Sequence, residues 1–488
     1  MISVLAFRHL LVRKRRSAFL LLGFGLGVGV MIVLLSVGEA MLDQSRDVAL
    51  VGGGEVTVLP EGIDVEAMRT GGVSGMFFGI DRARFVSRQL LDGPREAGFV
   101  RSVAPAIEGK LLYLRKDASG GTGVPVAVRA GGEIPSRAAV VGAALDVREG
   151  VWADDPADSA WIAPTPQRLY DELDRFHLPP LPDSTWGEWQ YFNVVAAPDE
   201  WWYVTLLVGG EVPGGRWGGQ VLVTRRTPGG RYERFTAGVP AAAVRLDTSG
   251  ASLDVGASSV RQRDGVYRVS ARARGGAGEA RVDLEIRPRP RRYFPAVELG
   301  AGDFLSGYVV PGLVADASGT LCVAGHCRRI EAAPAYHDHN WGVWRDVTWE
   351  WGAARGASVA LLYGGVRAPG SDATPFFLAL VDSLGFRQVL RFRRIRYEGA
   401  RPAAGAAGAV APARFRLDAA RGADTVHLAV VIADALATRM RAEGLDRHFL
   451  QMRGRFTVRG RIGGAELADS GTGFFETYVT DSASILNR

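Results

Sequence analysis

Residues 266–288, VYRVSARARGGAGEARVDLEIRP, decide the fold class of this chain. From Tyr267 to Ala273 apolar residues alternate with Arg or Ser, and from Val282 to Ile286 they alternate with acidic residues. Such alternation is typical of strands with one buried face, and two runs around a glycine-rich turn predict an antiparallel hairpin. The stretch therefore predicts an antiparallel β-sheet with one face in contact with water.

The same pattern returns towards the C-terminus, where Phe456 and Val458 alternate with arginine and threonine. Half-buried strands joined by short glycine-rich turns are typical of barrels and sandwiches. About 300 residues of this pattern exceed one small barrel and suit two. We predict a mainly β fold of two antiparallel barrels, the first over 189–330 and the second over 331–488.

The N-terminal region contains the most apolar segment of the chain. Ala18–Gly38, AFLLLGFGLGVGVMIVLLSVG, has no charge over 21 residues, which is enough to span about 30 Å of hydrocarbon as a helix. Arg13–Arg16 precede it and acids follow from Glu39 onward. The positive-inside rule then places 1–17 in the cytoplasm, a single transmembrane helix at 18–38 in the inner membrane, and the bulk of the chain outside.

A cleaved signal peptide is the alternative, with Gly38 and Ala40 as small residues at its cleavage site. Its apolar region of about 20 residues exceeds the usual 7–15. The next most apolar run, Val426–Ala437, is short and contains Asp434. No channel or carrier is therefore expected from this chain alone.

The charge distribution argues against a nucleic-acid partner. The formal net charge is +6, and five positive charges lie in the first 16 residues, before any acid. The remaining 472 residues are close to neutral at +1. Nucleic-acid binding needs a basic surface for phosphate contacts, so we predict none.

The two cysteines, Cys322 and Cys327, flank a four-residue turn-like loop that includes His326. They can face each other across a hairpin, and an oxidising compartment would permit a local disulfide. Two cysteines and one histidine are too few for a zinc site.

Between the apolar segment and the barrels the sequence predicts a small α+β unit over 39–150. Its elements are strands at Glu55–Pro60, Lys110–Arg115 and Val124–Arg129 and a helix at Asp81–Leu91. Residues 151–188 are rich in Pro, Asp and Trp and are predicted as a linker. One short helix is expected there, with Thr165 as its N-cap and Pro166 at its first position.

PDEWWYVTLL at 198–207 is the first candidate site. On a strand, Trp201 and Tyr203 share one face and Glu200 and Trp202 the other. An acid in an apolar cavity has a raised pKa and can donate a proton. The alternative is that the aromatic residues are core and that Glu200 caps a turn or pairs with an arginine.

YHDHNWG at 336–342 is the second candidate site. Consecutive ionisable residues are costly in a core unless they are hydrogen-bonded or functional. His337 and His339 share a strand face, as in a two-histidine metal pair, but no third ligand is evident and we predict no metal and no cofactor. The alternatives left open are a buried hydrogen-bond network and a catalytic or ligand site. Trp344, Trp349 and Trp351 make its surroundings apolar.

The first 145 residues resemble the start of FtsX-like, macrolide-exporter type ABC permeases. The resemblance rests on LAFRHLLVRKRRSAFLLLGFGLGVGVMIVLLSVGEAM at 5–41 and GGGEVTVLP at 52–60. Those permeases have further spanning helices and this chain does not. The resemblance implies at most association with an ABC permease and its ATPase.

The residues from Trp189 onward resemble the family of hydroxyneurosporene synthase (carotenoid 1,2-hydratase) and the AttH-like lipocalin proteins. The matching strings are AYHDHNWGVW at 335–344, WEWG at 349–352, DEWWY at 199–203 and GTGFFETYV at 471–479. The resemblance implies two lipocalin-like barrels. Family activities include adding water to a terminal double bond of an acyclic carotenoid, and other members accompany ABC transporters.

If hydration operates, the resemblance implies His339 and Trp341 as site residues and Asp338 or Glu200 as the proton donor. Hydratases also tend to have an acid near the tyrosine of the next strand, whereas Tyr363 here lies in LLYGG. The predicted ligand-binding residues share aromatic or polar side chains within the matching strings or at that tyrosine: Trp201, Trp202, Tyr203, His337, Asn340, Trp341, Trp349, Trp351 and Tyr363.

Three hypotheses follow. The first is a membrane-anchored, extracytoplasmic module that binds a hydrophobic lipid, isoprenoid or polyene beside an ABC exporter. The second is a hydro-lyase or isomerase acting on an isoprenoid double bond. The third is a structural partner of a permease with a side-chain-filled barrel.

Overall fold

The computed structural model describes most of the chain beyond the N-terminus. The described residues are 14–46, 56, 58, 80–114, 126–141, 153–158, 161, 174–178, 183–212, 214–301, 304–344, 347–367, 376–442 and 445–479. The chain divides into two compact units. One comprises Met1–Ala83 and Phe99–Ile162, and the other Arg84–Gly98 and Ala163–Arg488.

The first unit contains helices α1 and α3, the hairpin β1–β2 and the start of helix α2. The bounds are α1 Lys14–Arg46, α2 Ile80–Asp92, β1 Ala106–Leu114, β2 Val126–Glu133 and α3 Pro135–Val141. Residues Lys14–Val37 have a mean hydropathy of 2.6 and are long and apolar enough to cross a membrane. By length and composition this segment fits either a membrane span or a signal sequence.

The second unit begins with a twelve-stranded sheet. Its strands are β3 Trp186–Ala197, β4 Glu200–Glu211, β5 Arg216–Arg226, β6 Tyr232–Pro240, β7 Val244–Leu246, β8 Leu253–Val255, β9 Ser258–Arg263, β10 Val266–Gly275, β11 Gly278–Pro288, β12 Phe294–Ala301, β13 Phe304–Val323 and β14 His326–Val343. Eight of them close in the order β11-β13-β14-β3-β4-β5-β6-β10 and back to β11. This is the first barrel, and its first and last strands, β3 and β14, pair with each other.

A ten-stranded sheet follows. Its strands are β15 Thr348–Gly356, β16 Ala360–Arg367, β17 Phe377–Asp382, β18 Gly385–Arg391, β19 Arg396–Pro402, β20 Ala404–Gly405, β21 Val410–Arg421, β22 Asp424–Ala442, β23 Leu445–Ile462 and β24 Ala465–Val479. Eight of them close in the order β21-β18-β17-β16-β15-β24-β23-β22 and back to β21. The predicted fold of two closed antiparallel barrels is therefore confirmed.

The apolar residues of the alternating stretches are the buried residues of their strands in the structure. Tyr267, Val269 and Ala271 on β10 are buried inside the first barrel, and Val282 and Leu284 on β11 pack with them. The predicted hairpin is present, with Gly275 opposite Gly278. Closing each sheet satisfies the ladder hydrogen bonds of its edges, and its inward face becomes a core.

The boundaries between segments differ from those expected from the sequence. Strand β14 runs through residue 330 and belongs to the first sheet, so the change of sheet falls between Val343 and Thr348. Part of helix α2 belongs to the second unit, where Phe85 packs against Tyr293 and Phe386. The reason is that β14 closes the first barrel against β3, a pairing that composition does not reveal.

Other expectations are met or lie outside the described residues. Cys322 and Cys327 form a disulfide across the β13–β14 hairpin, where they are directly opposite each other. The strands near residues 110 and 126 are β1 and β2. The helix expected at Thr165 lies outside the described residues, as does most of the strand expected at Glu55–Pro60.

Candidate functional site

Strand β14 presents the YHDHNWG residues to two different environments. His337 and His339 point into the first barrel, where the His337 ring stacks on Phe192 at 4.2 Å. Asp338 and Tyr336 point to the opposite face, towards the second barrel. Successive side chains of a strand alternate between faces, so the motif divides into two sites rather than forming one.

The inner site is a network of buried ionisable groups around Asp174. One carboxylate oxygen of Asp174 lies 2.5 Å from Nδ1 of His339. The other lies 3.2 Å from Nε2 of His337 and accepts a hydrogen bond of 2.7 Å from the hydroxyl of Tyr267. Nε2 of His339 is 2.9 Å from Oε1 of Glu188. His339 therefore lies between two carboxylates inside the barrel.

These contacts fix the protonation of the inner site. Burial lowers the pKa of His339, but the charges and hydrogen bonds of Asp174 and Glu188 outweigh it and raise the pKa to about 10. Burial raises the pKa of Asp174, but the charge of His339 and the hydrogen bonds of both histidines bring it well below its usual range. At neutral pH the inner site is thus a buried ion cluster, and His339 is not poised to exchange a proton.

Both ring nitrogens of His337 are also engaged, since Nδ1 lies 3.0 Å from the carbonyl oxygen of Tyr191. Across the described residues, no group of three His, Cys, Asp or Glu side chains has the arrangement of a metal site. The contacts of His337 and His339 correspond to the buried hydrogen-bond network that the sequence left open.

Residues 174–178, which fall in the predicted linker, complete this network from inside the barrel. Asp174 and Phe176 are buried, and the backbone N–H of His177 donates to Glu188 over 2.7 Å. The His177 ring stacks on Trp341 with 3.6 Å between ring centroids. The segment therefore occupies part of the interior of the first barrel.

The outer site lies where the two barrels meet, and its centre is Asp338. The hydroxyl of Tyr336 donates to Oδ2 of Asp338 over 2.7 Å, and Nε1 of Trp351 donates to the same oxygen over 3.1 Å. Nδ2 of Asn340 donates to Oδ1 over 2.7 Å. Trp351 belongs to the second barrel and the other groups to the first, so both barrels build the site.

Glu476 is the second acid of this site. Its Oε1 accepts hydrogen bonds from the hydroxyl of Tyr191 over 3.1 Å and from Nε2 of Gln451 over 3.3 Å. Trp351 is directly opposite Glu476 in the β15–β24 ladder. We call Asp338, Glu476 and these hydrogen-bond partners the interbarrel acid site.

Both acids hold their protons unusually tightly. Burial raises the pKa of Asp338 to about 7, against the opposing effect of its three hydrogen bonds. Burial and the nearby charge of Asp338 raise the pKa of Glu476 to about 8. A carboxyl with a pKa near neutral pH still carries its proton in a large share of molecules and can donate it, which is the property expected of a general acid.

Aromatic side chains from both barrels surround this site in one buried layer. We call it the interbarrel layer, and its aromatic members are Tyr191, Trp201, Tyr203, Phe294, Tyr308, Tyr336, Trp351, Phe377 and Phe474. Trp349 packs against it. Such rings can contact an apolar ligand and stabilise a positive charge through their faces.

Two glycines position the aromatic rings of β15 and β16. A Cβ on Gly364 would lie 2.2 Å from the ring of Trp351, and one on Gly352 would lie 2.5 Å from the ring of Tyr363. Trp351 faces the interbarrel layer, whereas Tyr363 lies in the core of the second barrel. Each ring therefore requires glycine at the position directly opposite it on the neighbouring strand, because a side chain there would overlap the ring.

Glu200 has a different environment from the acids of the interbarrel acid site. Its carboxylate pairs with Arg225 and Arg328, each at 2.8 Å, and accepts a hydrogen bond of 3.2 Å from Nε1 of Trp202. Glu200 is therefore bound within a network of two arginines and one tryptophan. This corresponds to the alternative in which Glu200 pairs with an arginine.

The structure thus separates the predicted site residues into four groups. Trp202, His337 and His339 lie inside the first barrel. Trp341 stacks on His177 and lies in a separate small cluster with Tyr293 and Val309. Trp201, Tyr203, Asp338, Asn340, Trp349 and Trp351 lie in or beside the interbarrel layer. Tyr363 lies inside the second barrel.

Several residues of these sites were not predicted from the sequence. Asp174 lies in a segment with no hydrophobic period, and Glu188 directly precedes the predicted start of the first barrel. Glu476 interrupts the apolar string FFETYV, and Glu350 stands between two tryptophans. An acid at a strand position flanked by aromatic residues was the signal available for the last two.

Glu350 is a buried acid near Tyr363 inside the second barrel. It accepts a hydrogen bond of 2.5 Å from the hydroxyl of Tyr397, and its charge raises the pKa of Tyr363 further after burial has done so. The acid comes from the neighbouring strand β15 rather than from β16.

Comparisons with known proteins give structural neighbours only. No protein-family model and no curated protein matches the chain. An AttH-type protein from Nitrosomonas europaea superposes with a TM-score of 0.45 at 17% identity, over 60% of this chain and 92% of the other. Kievitone hydratase from Nectria haematococca gives a TM-score of 0.43 at 14% identity, over 64% of this chain and 96% of the other.

The protein CghA gives a TM-score of 0.41 at 14% identity, over 63% of this chain and 94% of the other. Likenesses of this strength do not assign the chain to a family, and the barrels described above rest on their strand pairing alone. The resemblance of the N-terminal residues to ABC permeases finds no support among these neighbours and stays a prediction.

The raised pKa values of the two acids predict how stability depends on pH. The folded protein holds these protons to about pH 7 and 8, whereas the unfolded chain releases them near pH 4. The stabilisation from protonated Asp338 and Glu476 is therefore complete below about pH 4 and is lost as the pH rises towards 8, by up to about 1.4 kcal/mol per pH unit and group. Urea unfolding between pH 4 and 8 should show a smaller decline for Asp338→Asn/Glu476→Gln than for the wild type. Parallel curves would contradict the raised pKa values.

Alanine at Gly364 should displace Trp351 and weaken its hydrogen bond to Asp338. We expect a loss of about 1–3 kcal/mol in unfolding free energy, as is typical of overpacking, together with an altered pH dependence between 4 and 8. Gly352→Ala is the matched control, because it strains Tyr363 in the other core. It should destabilise similarly but keep the wild-type pH dependence. The same pH curve for both variants would show that Trp351 does not control the acid site.

Proposed function

We propose that this protein binds a hydrophobic molecule, of the lipid, isoprenoid or polyene class, between its two barrels. The observation that carries the proposal is a pair of buried carboxyls with raised pKa values, Asp338 and Glu476, within a layer of aromatic rings. A neutral acid can face an apolar ligand without the desolvation cost of a carboxylate, and it can orient the ligand by a hydrogen bond.

The packing of the first barrel favours this location over the barrel interior. Residues 174–178 and a continuous apolar core, with Phe192, Trp202 and Phe235, occupy that interior. Its ionisable groups neutralise one another in the inner site. The interbarrel acid site, by contrast, has two acids with exchangeable protons in aromatic surroundings.

Acid-catalysed addition of water to an alkene is the second candidate function, and the raised pKa of Asp338 favours it. In this scheme the Asp338 O–H transfers its proton to the less substituted carbon of a terminal double bond. The resulting tertiary cation is stabilised by the ring faces of Tyr336 and Trp351. Water adds to the cation, and the proton that it releases returns to the Asp338 carboxylate, so that the acid is regenerated.

We further propose that helix α1 tethers the protein to the inner membrane with its N-terminus in the cytoplasm. Its apolar side chains are exposed, for example Phe19 at 83% and Phe24 at 76%. The positive charges of Lys14, Arg15 and Arg16 precede the apolar segment. Work beside an ABC exporter rests on the sequence resemblance alone and stays a prediction.

The test is mass spectrometry of organic extracts from the full-length protein, purified in neutral-lipid nanodiscs. We expect a polyene, isoprenoid or lipid in the wild type that Trp351→Phe loses. Trp202→Phe is the matched control, because it changes an equally buried tryptophan inside the first barrel. Equal loss in both variants, or neither a retained molecule nor binding of parinaric acid methyl ester, would overturn the proposal.

A further inference from the structure

The strand that supplies Gln451 to the interbarrel acid site carries an arginine two residues further along. Arg453 is on the same face of β23 as Gln451, about 7 Å away at the usual rise of a strand. It is directly opposite Phe474 of the interbarrel layer. Its guanidinium carbon lies 3.5 Å from the ring centre of Trp201, which belongs to the first barrel.

Three buried N–H donors belong to the two side chains of this contact. Nε and Nη1 of Arg453 and Nε1 of Trp201 are buried and have no hydrogen-bond partner among the described residues. Only Nη2 of Arg453 contacts an acceptor, the carbonyl oxygen of Pro198 at 3.5 Å. Buried donors are almost always paired in native proteins, so three on two contacting side chains call for an acceptor from outside the described residues, either water or a ligand.

Asp434, which is directly opposite Arg453 in the β22–β23 ladder, already contacts other partners. Asp434 accepts a hydrogen bond from the hydroxyl of Tyr232 through Oδ1 and pairs with Nε of Arg226 at 2.7 Å through Oδ2. Asp434 is thus engaged by Arg226, and the positive charge of Arg453 has no ion-pair partner among the described residues. Such a charge favours an anion over a neutral acceptor.

We propose that Arg453 and Trp201 bind the anionic head, a carboxylate or a phosphate, of an amphipathic ligand whose apolar body lies in the interbarrel layer. The inference rests on the proposed function and narrows its ligand class. The head at Arg453 places the apolar body alongside Gln451 and Glu476, two residue pairs along the β23–β24 ladder. Head recognition thereby orients the ligand towards the interbarrel acid site.

The test compares binding of parinaric acid and of its methyl ester to the full-length protein in neutral-lipid nanodiscs, with protein-free nanodiscs as the blank. The wild type should bind the acid more tightly than the ester. Arg453→Met should weaken binding of the acid by about tenfold to a hundredfold, the usual effect of losing a charge-assisted hydrogen bond, and leave the ester unchanged. Arg455→Met, an exposed arginine on the same strand, should change neither.

Two further measurements test the contribution of the Trp201 N–H and the preference for one head group. Trp201→Phe retains the ring under the guanidinium but removes its N–H, and should weaken acid binding several-fold without affecting the ester. Competition by dodecanoate and by dodecyl phosphate, with dodecanol as the neutral control, should identify which head group is preferred.

The outcomes separate this inference from the proposed function. Equal binding of acid and ester by the wild type, with no effect of Arg453→Met, would overturn the head-group site while leaving the hydrophobic site intact. Binding of neither probe would overturn the proposed function itself. Loss of both probes in Arg453→Met but not in Arg455→Met would show that Arg453 holds the barrels together rather than binding the head.

Discussion

Replacement of Asp174 by asparagine should lower the free energy of unfolding by about 3–5 kcal/mol, the usual cost of removing one partner of a buried ion pair. Asp174 is fully buried and bonds His337, His339 and Tyr267. Without its charge, the imidazolium of His339 keeps only Glu188 as a counter-ion. Urea unfolding at pH 7, followed by tryptophan fluorescence, measures the loss.

The matched control is Glu331→Gln, since Glu331 pairs with Arg329 at 3.5 Å on the surface and is 78% exposed. Exposed pairs contribute about 0–1 kcal/mol, so this variant should unfold close to the wild type. Asp174→Asn behaving like Glu331→Gln would show that the inner site does not hold residues 174–178 in the first barrel. It would also return His337 and His339 to the list of candidate ligand residues.

Asp338→Asn should abolish proton transfer to a bound alkene while leaving ligand binding nearly intact. Loss of a general acid typically costs about a hundredfold to ten-thousandfold in rate. The amide keeps the shape of the carboxyl among Tyr336, Asn340 and Trp351 but has no acidic proton. The measurement is incorporation of deuterium from D₂O and of ¹⁸O from labelled water into an acyclic carotenoid supplied to the full-length protein.

Glu350→Gln is the control for the Asp338 variant, because Glu350 is also a buried acid but lies inside the second barrel against Tyr397. It should retain the wild-type rate of label incorporation. Label incorporation that survives in Asp338→Asn would exclude Asp338 as the acid and direct attention to Glu476→Gln. No incorporation by the wild type, together with a retained ligand, would leave the binding function and remove the hydratase candidate.

Period-two alternation was sufficient to predict the barrels and the division of the YHDHNWG motif between two faces. Because side chains on a strand alternate, Asp338 had to point away from His337 and His339 wherever the strand lay. The aromatic character around Trp351 was also visible from the spacing of the tryptophans. These features are local, so a single sequence contains them.

The composition of the two sites was not predictable in this way. Asp174 meets His337 across a separation of 163 residues, and Tyr191 meets Glu476 across 285. Neither contact leaves a local pattern, because it depends on which strands become neighbours when the barrels close. The linker prediction for residues 151–188 failed to anticipate a buried segment for the same reason.

The sequence by itself determined that this chain forms antiparallel barrels and contains a segment apolar enough to cross a membrane. Only the tertiary structure decided which partners each buried acid meets. Glu200, Asp174 and Glu188 meet cations, whereas Asp338 and Glu476 meet aromatic rings and neutral donors. The pKa of the carboxyl group is thus lowered at Asp174 and raised at Asp338, because burial and neighbouring charge, not residue type, set its value.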